Sequence, residues 1–413
     1  MKCKLRVTDV STGMYVAELD RPWLESPFLF QGFTVESRRE LSQLRESCLY
    51  VYVDPDRSRA DLQSKIRRVA IAAGQEGAAN DAQSAEPPAE HRFKAFKREL
   101  ARALDIREKT RQYVDVLLDD ARLGKHVSMQ GVRTVVTELL DTILINPAAT
   151  LWLIQLRDKD EHTAIHSVNT SVLAMIFARH EGLSREQIEI AGMGALLHDI
   201  GKVRIPKSVL MKEGPLNRED WDLVRAHPDQ GYRLLRQSEG VSEQVRTIVQ
   251  QHHERLDGSG YPQRLMDKQI DPLALLVGLV DAYDAMTGDW PNSPPMSPHK
   301  ALAQLRRDAG PQFGVERIER FIRCMGVYPI GTVVSLTSGA KGIVVSHNRS
   351  SRLKPVLMMV EDPRGSAYRK RPLVDLAARR PESTADWQIQ QAVDPVEFGD
   401  ERLRSITAAE SLL

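Results

Sequence analysis

The stretches that decide the fold are Leu196-Leu197-His198-Asp199-Ile200-Gly201-Lys202 and, starting 54 residues after His198, His252-His253-Glu254-Arg255-Leu256-Asp257-Gly258-Ser259-Gly260-Tyr261-Pro262. The first places an imidazole and a carboxylate side by side among apolar residues. Burying such a pair without partners is costly, so a bound ion is expected to satisfy it. Imidazole and carboxylate ligands suit iron, manganese or zinc, and such metals make hydroxide from water near neutral pH. Together the two stretches predict a metal-dependent hydrolytic site.

Further candidate ligands cluster in the same part of the chain. Seven of the 11 histidines lie within residues 162–253. His162 and His166 are four residues apart, so they share one face of a predicted helix. Asp281 and Asp284 are three apart and also share a helical face. The clustering indicates one site built from several helices.

The paired motifs resemble those of the HD-GYP family, bacterial metal-dependent phosphodiesterases that hydrolyse cyclic di-GMP. The resemblance covers roughly residues 104–372 and implies an all-helical fold. It also implies two divalent transition metals per chain, iron or manganese first, with zinc, nickel and cobalt left open. Seven ligands are implied: Asp199 bridges one metal held by His166, His198 and Asp281 and a second held by His227, His252 and His253.

The resemblance also implies the residues that act on the substrate. Asp199 and Lys202 are expected to be catalytic, with Lys202 stabilising charge on the phosphate oxygens or the leaving alkoxide. Packing or turn formation is the alternative role for the aromatic and glycine residues of the second motif. The predicted substrate contacts are Lys202, Asp284, Gly258, Gly260, Tyr261 and Trp290. Orienting a metal ligand is the alternative role of Asp284, and packing is that of Trp290.

Two departures from the family pattern affect these expectations. Members with three metals carry a glutamate four residues before the first histidine ligand, where this chain has His162 preceded by Glu161. Two metals are therefore expected, with His162 and Glu161 as candidate ligands of a third. Members usually carry arginines after the Asp281 motif, where this chain reads Trp290-Pro291-Asn292-Ser293-Pro294-Pro295. Losing bidentate phosphate contacts predicts weaker binding or an altered choice of cyclic dinucleotide.

Composition is typical of a globular intracellular enzyme. Hydrophobic residues make up 42% and charged residues 27% of the 413 residues. The net charge of +1 predicts no surface for DNA or RNA polymers. Cys3, Cys48 and Cys324 have neither metal-binding nor paired spacing and are expected to be free thiols in a reducing compartment. No long apolar run or signal-peptide pattern occurs, so no membrane span and a cytoplasmic location are expected.

Hydrophobic periodicity predicts a mainly α fold. The family resemblance implies a helical HD-type metal-dependent phosphohydrolase bundle with a short β appendage at the carboxy end. The small α/β amino-terminal domain resembles the domain of unknown function that often precedes HD-GYP domains. The first long helix of the bundle is expected to pack in the core, with a homodimer contact as the alternative. The predicted segments are 1–70, the amino-terminal regulatory domain; 71–92, a flexible linker; 93–327, the catalytic bundle; 328–378, the β appendage; and 379–413, a poorly ordered tail.

Three functions are weighed on these residues. The first is hydrolysis of cyclic di-GMP to linear pGpG and further to GMP. The second is the same chemistry on another cyclic dinucleotide or a nucleotide, supported by the altered segment 290–295. The third is a weakly active metal-bearing signalling module that binds a partner, such as a diguanylate cyclase, through the loop around Tyr261. The complete ligand set argues against the third.

Overall fold

A computed structural model describes residues 3–20, 33–48, 50–66, 89–154, 162–210, 212, 214–288, 295–348, 353–378 and 387–399. The chain forms two compact units. The first comprises Met1–Arg92 with Leu144–Pro147, and the second comprises Phe93–Ile143 with Ala148–Leu413. The prediction of a mainly α fold that also contains small sheets is confirmed.

In the ranges that the structure describes, the amino-terminal unit contains a four-stranded antiparallel sheet and an α-helix. Its strands are β1 (Cys3–Arg6), β2 (Tyr15–Leu19), β3 (Phe33–Thr34) and β4 (Tyr50–Asp54), arranged β1-β4-β2-β3. Helix α1 (Arg38–Ser47) starts at a capping box between Ser37 and Glu40. Alternate residues of β4 are buried, as Val51 and Val53 enter the unit's own apolar core.

The second unit is dominated by helices. Helix α2 begins at Ala89, inside the predicted linker 71–92, and residues 71–88 of that segment lie outside the described residues. Serine, asparagine and aspartate caps satisfy the free amides at several helix starts, as at Ser184, Ser242 and Asp271. The helices are α2 (Ala89–Arg122), α3 (Met129–Ile145), α4 (Pro147–Ile154), α5 (His162–His180), α6 (Arg185–Leu197), α7 (Lys207–Leu210), α8 (Arg218–Arg225), α9 (His227–Arg236), α10 (Glu243–Gln251), α11 (Pro272–Thr287), α12 (Pro298–Asp308), α13 (Gly310–Phe313) and α14 (Val315–Met325).

Helices α5, α6, α10 and α11 pack against one another and form the interior of the bundle. Helices α5 and α11 and the second half of α6 are buried on nearly all sides, as expected of helices surrounded by other helices. Polar residues within such helices must be paired or bound to a ligand, because burial without a partner costs free energy. The buried histidines and carboxylates of these helices therefore mark the site.

Five strands follow the helices: β5 (Val333–Leu336), β6 (Lys341–Ser346), β7 (Val356–Glu361), β8 (Leu373–Asp375) and β9 (Ile389–Val393). They form an antiparallel sheet in the order β8-β7-β6-β5-β9. The predicted tail from residue 379 is wrong in part, because β9 pairs with β5 and a short helix, α15 (Pro395–Phe398), follows it. β9 reads Ile-Gln-Gln-Ala-Val at the sheet edge, with too few apolar residues for a strand to be predicted.

None of the helices in the described ranges combines the length and apolarity needed to cross a lipid bilayer. The three cysteines form no disulfide. Burial raises the pKa of the Cys324 thiol to about 12, so this sulfur stays protonated at neutral pH.

Candidate metal centre

The predicted ligands meet at one place inside the helical bundle. All but His253, which is partly exposed, are buried. Some lie within long helices and others lie at helix ends, where the chain turns away from the centre. Helix α5 provides His166, the end of α6 provides His198 and Asp199, the start of α9 provides His227, the end of α10 provides His252 and His253, and α11 provides Asp281 and Asp284.

Backbone carbonyl groups orient three of the histidines. In each case Nδ1 donates a hydrogen bond to the carbonyl oxygen three residues earlier. A carbonyl oxygen only accepts, so each Nδ1 carries hydrogen, and Nε2 is the atom that can offer a lone pair to a metal. These distances are 2.7 Å from His198 to Ala195, 2.7 Å from His227 to Val224 and 2.8 Å from His252 to Val249.

His166 is oriented instead by carboxylates of α11. Its Nδ1 lies 2.7 Å from Asp284 Oδ2, and its Nε2 lies 3.0 Å from Asp281 Oδ1. The Asp284 carboxylate can accept the hydrogen of Nδ1 and so leaves Nε2 facing the centre beside Asp281. A carboxylate behind a histidine ligand is a recurring arrangement at metal sites, where it fixes the ring and raises its basicity.

Asp199 lies at the middle of the cluster. Its Oδ1 is 3.2 Å from His227 Nε2, and its Oδ2 is 3.4 Å from His198 Nε2 and 3.9 Å from His166 Nε2. Lys202 Nζ lies 2.5 Å from the same Oδ2. One carboxylate oxygen therefore faces each half of the cluster.

Two overlapping groups of ligand atoms meet the requirements of metal sites. His166, His198 and Asp199 form one group, in which the ligand atoms lie within 4.8 Å of one another. Asp199 also belongs to the second group, with His227, His252 and His253. Among the described residues, the buried atoms His198 Nε2 and Asp199 Oδ1 have no hydrogen-bond partner. Unsatisfied buried acceptors that converge on one point fit bound cations.

The electrostatics of the cluster fall into two classes. Burial disfavours protonation of His166 and His198, but the carboxylates beside them outweigh it and raise their pKa values to about 9 and about 10. Burial and neighbouring imidazoles hold the pKa of His252 well below its usual range, and burial does the same for His253. The pKa of Asp199 is lowered, against burial, by Lys202 and His198. Metal binding therefore has to displace protons from His166 and His198.

Two glycines allow the ligand-bearing segments to approach closely. A Cβ atom at Gly201 would collide with the carbonyl oxygen of His227. One at Gly278 in α11 would collide with the carbonyl oxygen of His252. Each contact joins two segments that carry predicted ligands.

The loop after the second motif is held by a residue that the sequence did not single out. The buried Glu254 carboxylate accepts hydrogen bonds from the backbone N–H groups of Gln263, at 2.7 Å, and Leu265, at 2.9 Å. Tyr261 in this loop stacks on His253, with ring centroids 4.6 Å apart. Glu254 is therefore a positioning residue, and its only sequence signal is its place directly after two histidines.

The other predicted substrate contacts have different outcomes. Gly258 adopts a positive φ of 74°, which fits the turn alternative. A Cβ at Gly260 would contact Glu254 and Arg255 backbone atoms, so this glycine also serves the loop's packing. Trp290 and Glu161 lie outside the described residues, and the role of the His162 side chain stays a prediction.

Comparison with known proteins places the chain in a family. The HD domain family matches residues 154–316, and a domain of unknown function (DUF3391) matches residues 2–132. A cyclic di-GMP phosphodiesterase of Pseudomonas aeruginosa is 32% identical over 375 residues, which cover 90% of this chain and 88% of that protein. This chain belongs to the HD-GYP family. The family resemblance that the two motifs predicted is therefore confirmed. HD-GYP proteins are metal-dependent, and the His/Asp cluster of this chain agrees with that property.

Other known proteins match shorter parts of the chain. A cyclic di-GMP phosphodiesterase response regulator of Xanthomonas campestris is 36% identical over 166 residues, which cover 40% of this chain and 44% of that protein. The solved structure of an HDG"Y"P protein from Bdellovibrio bacteriovorus is similar to this chain with a TM-score of 0.46 and 20% sequence identity. The match covers 78% of this chain and 98% of that chain.

Proposed function

We propose that this protein hydrolyses cyclic di-GMP to pGpG, and further to GMP, with two divalent transition metals. The observation that carries the proposal is the pair of overlapping ligand groups that share Asp199. It is supported by the similarity of nearly the whole chain to a cyclic di-GMP phosphodiesterase. Iron or manganese fits a set of imidazole and carboxylate ligands.

The proposed ligands would divide between two metals, and the two ligand groups together with the contacts of Asp281 support this division. His166, His198 and Asp281 would hold one, and the group of His227, His252 and His253 would hold the other. Asp199 would contact both. When bound, the metals supply a nucleophile from water and neutralise charge on the phosphate.

The protein's own residues prepare this chemistry. Asp284 fixes His166, while helix carbonyl groups fix three further imidazoles, so the ligands need little rearrangement. Lys202, whose side chain is 27% exposed, reaches from solvent to the buried carboxylate of Asp199. From there it can place positive charge beside the scissile phosphate. Tyr261, stacked on His253, would border the bound dinucleotide.

Turnover of a panel of cyclic dinucleotides tests the proposal. Full-length protein purified without oxygen would be loaded with iron or manganese, and products would be separated by chromatography. We expect cyclic di-GMP to give pGpG, and the matched variant Asp199→Ala to give none. Cleavage of another cyclic dinucleotide alone would move the proposal to that substrate. A protein that holds two metal equivalents and cleaves no cyclic dinucleotide would overturn it.

A further inference from the structure

A cationic and aromatic face borders the metal centre on the side of α8. It consists of Trp221, Arg225 and Tyr261, and we call it the Trp–Arg–Tyr face. The Arg225 guanidinium carbon lies 5.8 Å from the centroid of the Trp221 ring and 5.8 Å from that of Tyr261. Trp221 and Arg225 are four residues apart, so both lie on one side of the helix.

This face is continuous with the predicted ligands. Tyr261 stacks on His253 and meets His227 edge-on, with centroids 6.4 Å apart. Arg225 is the last residue of α8, and the neighbouring Val224 supplies the carbonyl that orients His227. A ligand held at the centre would therefore have this face beside it.

Arg225 differs from many exposed arginines of this protein. Arg59, Arg122 and Arg307 each form an ion pair with a nearby carboxylate. No carboxylate in the described part of the chain lies within ion-pair distance of Arg225, which faces two aromatic rings instead. Trp221 is 46% exposed, although burying its large apolar ring would stabilise the fold more than leaving the ring in water. Both features leave groups available to a ligand.

We propose that Trp221 and Arg225 bind a guanine base of the substrate. The indole ring would stack on the base, and the guanidinium would donate two hydrogen bonds to its O6 and N7 atoms. A phosphate would use the guanidinium but gain nothing from the exposed indole ring, so the pair favours a base. This inference rests on the proposed function and assigns a specificity role within the same site.

Steady-state kinetics of metal-loaded Arg225→Ala, Trp221→Ala and Arg225→Lys test the assignment. The substrates are cyclic di-GMP, cyclic di-AMP and bis(p-nitrophenyl) phosphate, a diester without bases. We expect Arg225→Ala and Trp221→Ala each to raise KM for cyclic di-GMP by about tenfold, with kcat little changed. Turnover of the baseless diester should stay at the parent level. Arg225→Lys should fail to restore KM, because a lysine cannot make the bidentate contact.

The control is Arg233→Ala, which removes an exposed arginine of α9 and should leave every constant unchanged. Metal content and circular dichroism would establish that each variant is folded and loaded. If the parent cleaves cyclic di-GMP and Arg225→Ala has the parent KM, the inference is wrong while the proposed function stands. If Arg225→Lys keeps the parent KM, or if Arg225→Ala raises KM for cyclic di-AMP as much as for cyclic di-GMP, Arg225 binds a phosphate. Either result would overturn base recognition. A parent inactive on every cyclic dinucleotide would refute the proposed function itself.

Discussion

The Nε2 atoms of His227 and His252 lie 3.2 Å apart. Each ring uses its Nδ1 hydrogen on a backbone carbonyl, so two rings without a proton on Nε2 direct two lone pairs at each other. Such a contact is unfavourable until a cation lies between or beside the two nitrogens.

Metal removal should therefore destabilise the helical unit. A metal present at about 100 times its dissociation constant stabilises the folded state by about 2.7 kcal/mol. We expect chelation to lower the melting temperature by several degrees in scanning calorimetry and re-addition of manganese to restore it. His252→Ala serves as the control, since its melting temperature should respond less to the chelator. Equal melting curves with and without metal would contradict the prediction.

Asp199→Ala should remove both metals, because its two oxygens face both halves of the cluster. His166→Ala and His252→Ala should each remove mainly one, since each belongs to one ligand group. Elemental analysis after reconstitution measures the difference. His299→Ala is the matched control, because His299 Nδ1 donates to the Val327 carbonyl instead. Retention of two metals by Asp199→Ala would refute its bridging position, and three in the parent would indicate a third site at His162 or Glu161.

Asp284→Ala should weaken metal binding without removing a ligand. The His166 ring loses the carboxylate that orients it, and losses of this kind cost roughly 10–100-fold in metal affinity. Competition with a chromophoric chelator gives the affinity. Asp308→Ala removes an exposed carboxylate paired with Arg307 and should match the parent. An unchanged affinity in Asp284→Ala would show that the 2.7 Å contact does not support the metal.

Lys202→Ala should keep both metals and lower turnover. Its ammonium group competes with a cation for Asp199 Oδ2, so metal affinity should stay equal or rise. Losing a positive group near the developing charge should lower kcat by about 100–1,000-fold. Kinetics combined with metal analysis separate the two effects. Lys207→Ala, at an exposed lysine of α7, provides the comparison. Loss of metal from Lys202→Ala would show a structural role instead.

Glu254→Gln should destabilise the loop that carries Tyr261. The amide group of glutamine turns a donor toward one of two backbone N–H groups that the carboxylate now satisfies. A buried donor left unpaired costs about 1–3 kcal/mol in the free energy of unfolding. Urea denaturation measures the change. Gln263→Ala removes only an exposed side chain and keeps the backbone N–H, so it should unfold like the parent.

The sequence patterns selected side chains that meet in the fold, because each lies within or beside a helix of clear periodicity. Their role as metal ligands stays a prediction. It did not predict the function of Glu254, whose partners are backbone N–H groups nine and eleven residues further on. Backbone partners leave no side-chain pattern, so nothing in the sequence distinguishes this glutamate from an exposed one.

Arg225 was missed for a related reason. Its significance depends on Tyr261, which follows it by 36 residues and approaches it only through the fold. The strand Ile389–Val393 was missed because its two glutamines interrupt the apolar alternation that identifies strands. Sequence patterns therefore located the chemical groups, while the contacts that position them required the fold.

The glycines at positions 201 and 278 also bear on any attempt to build this centre elsewhere. Transplanting the seven ligand side chains onto another helical protein would reproduce the donor atoms but not the backbone separation. Where a side chain occupies either glycine position, the two segments must stand further apart. The spacing of the ligand-bearing segments therefore depends on direct contact between backbones, and a designer would have to copy these two glycines as carefully as the histidines.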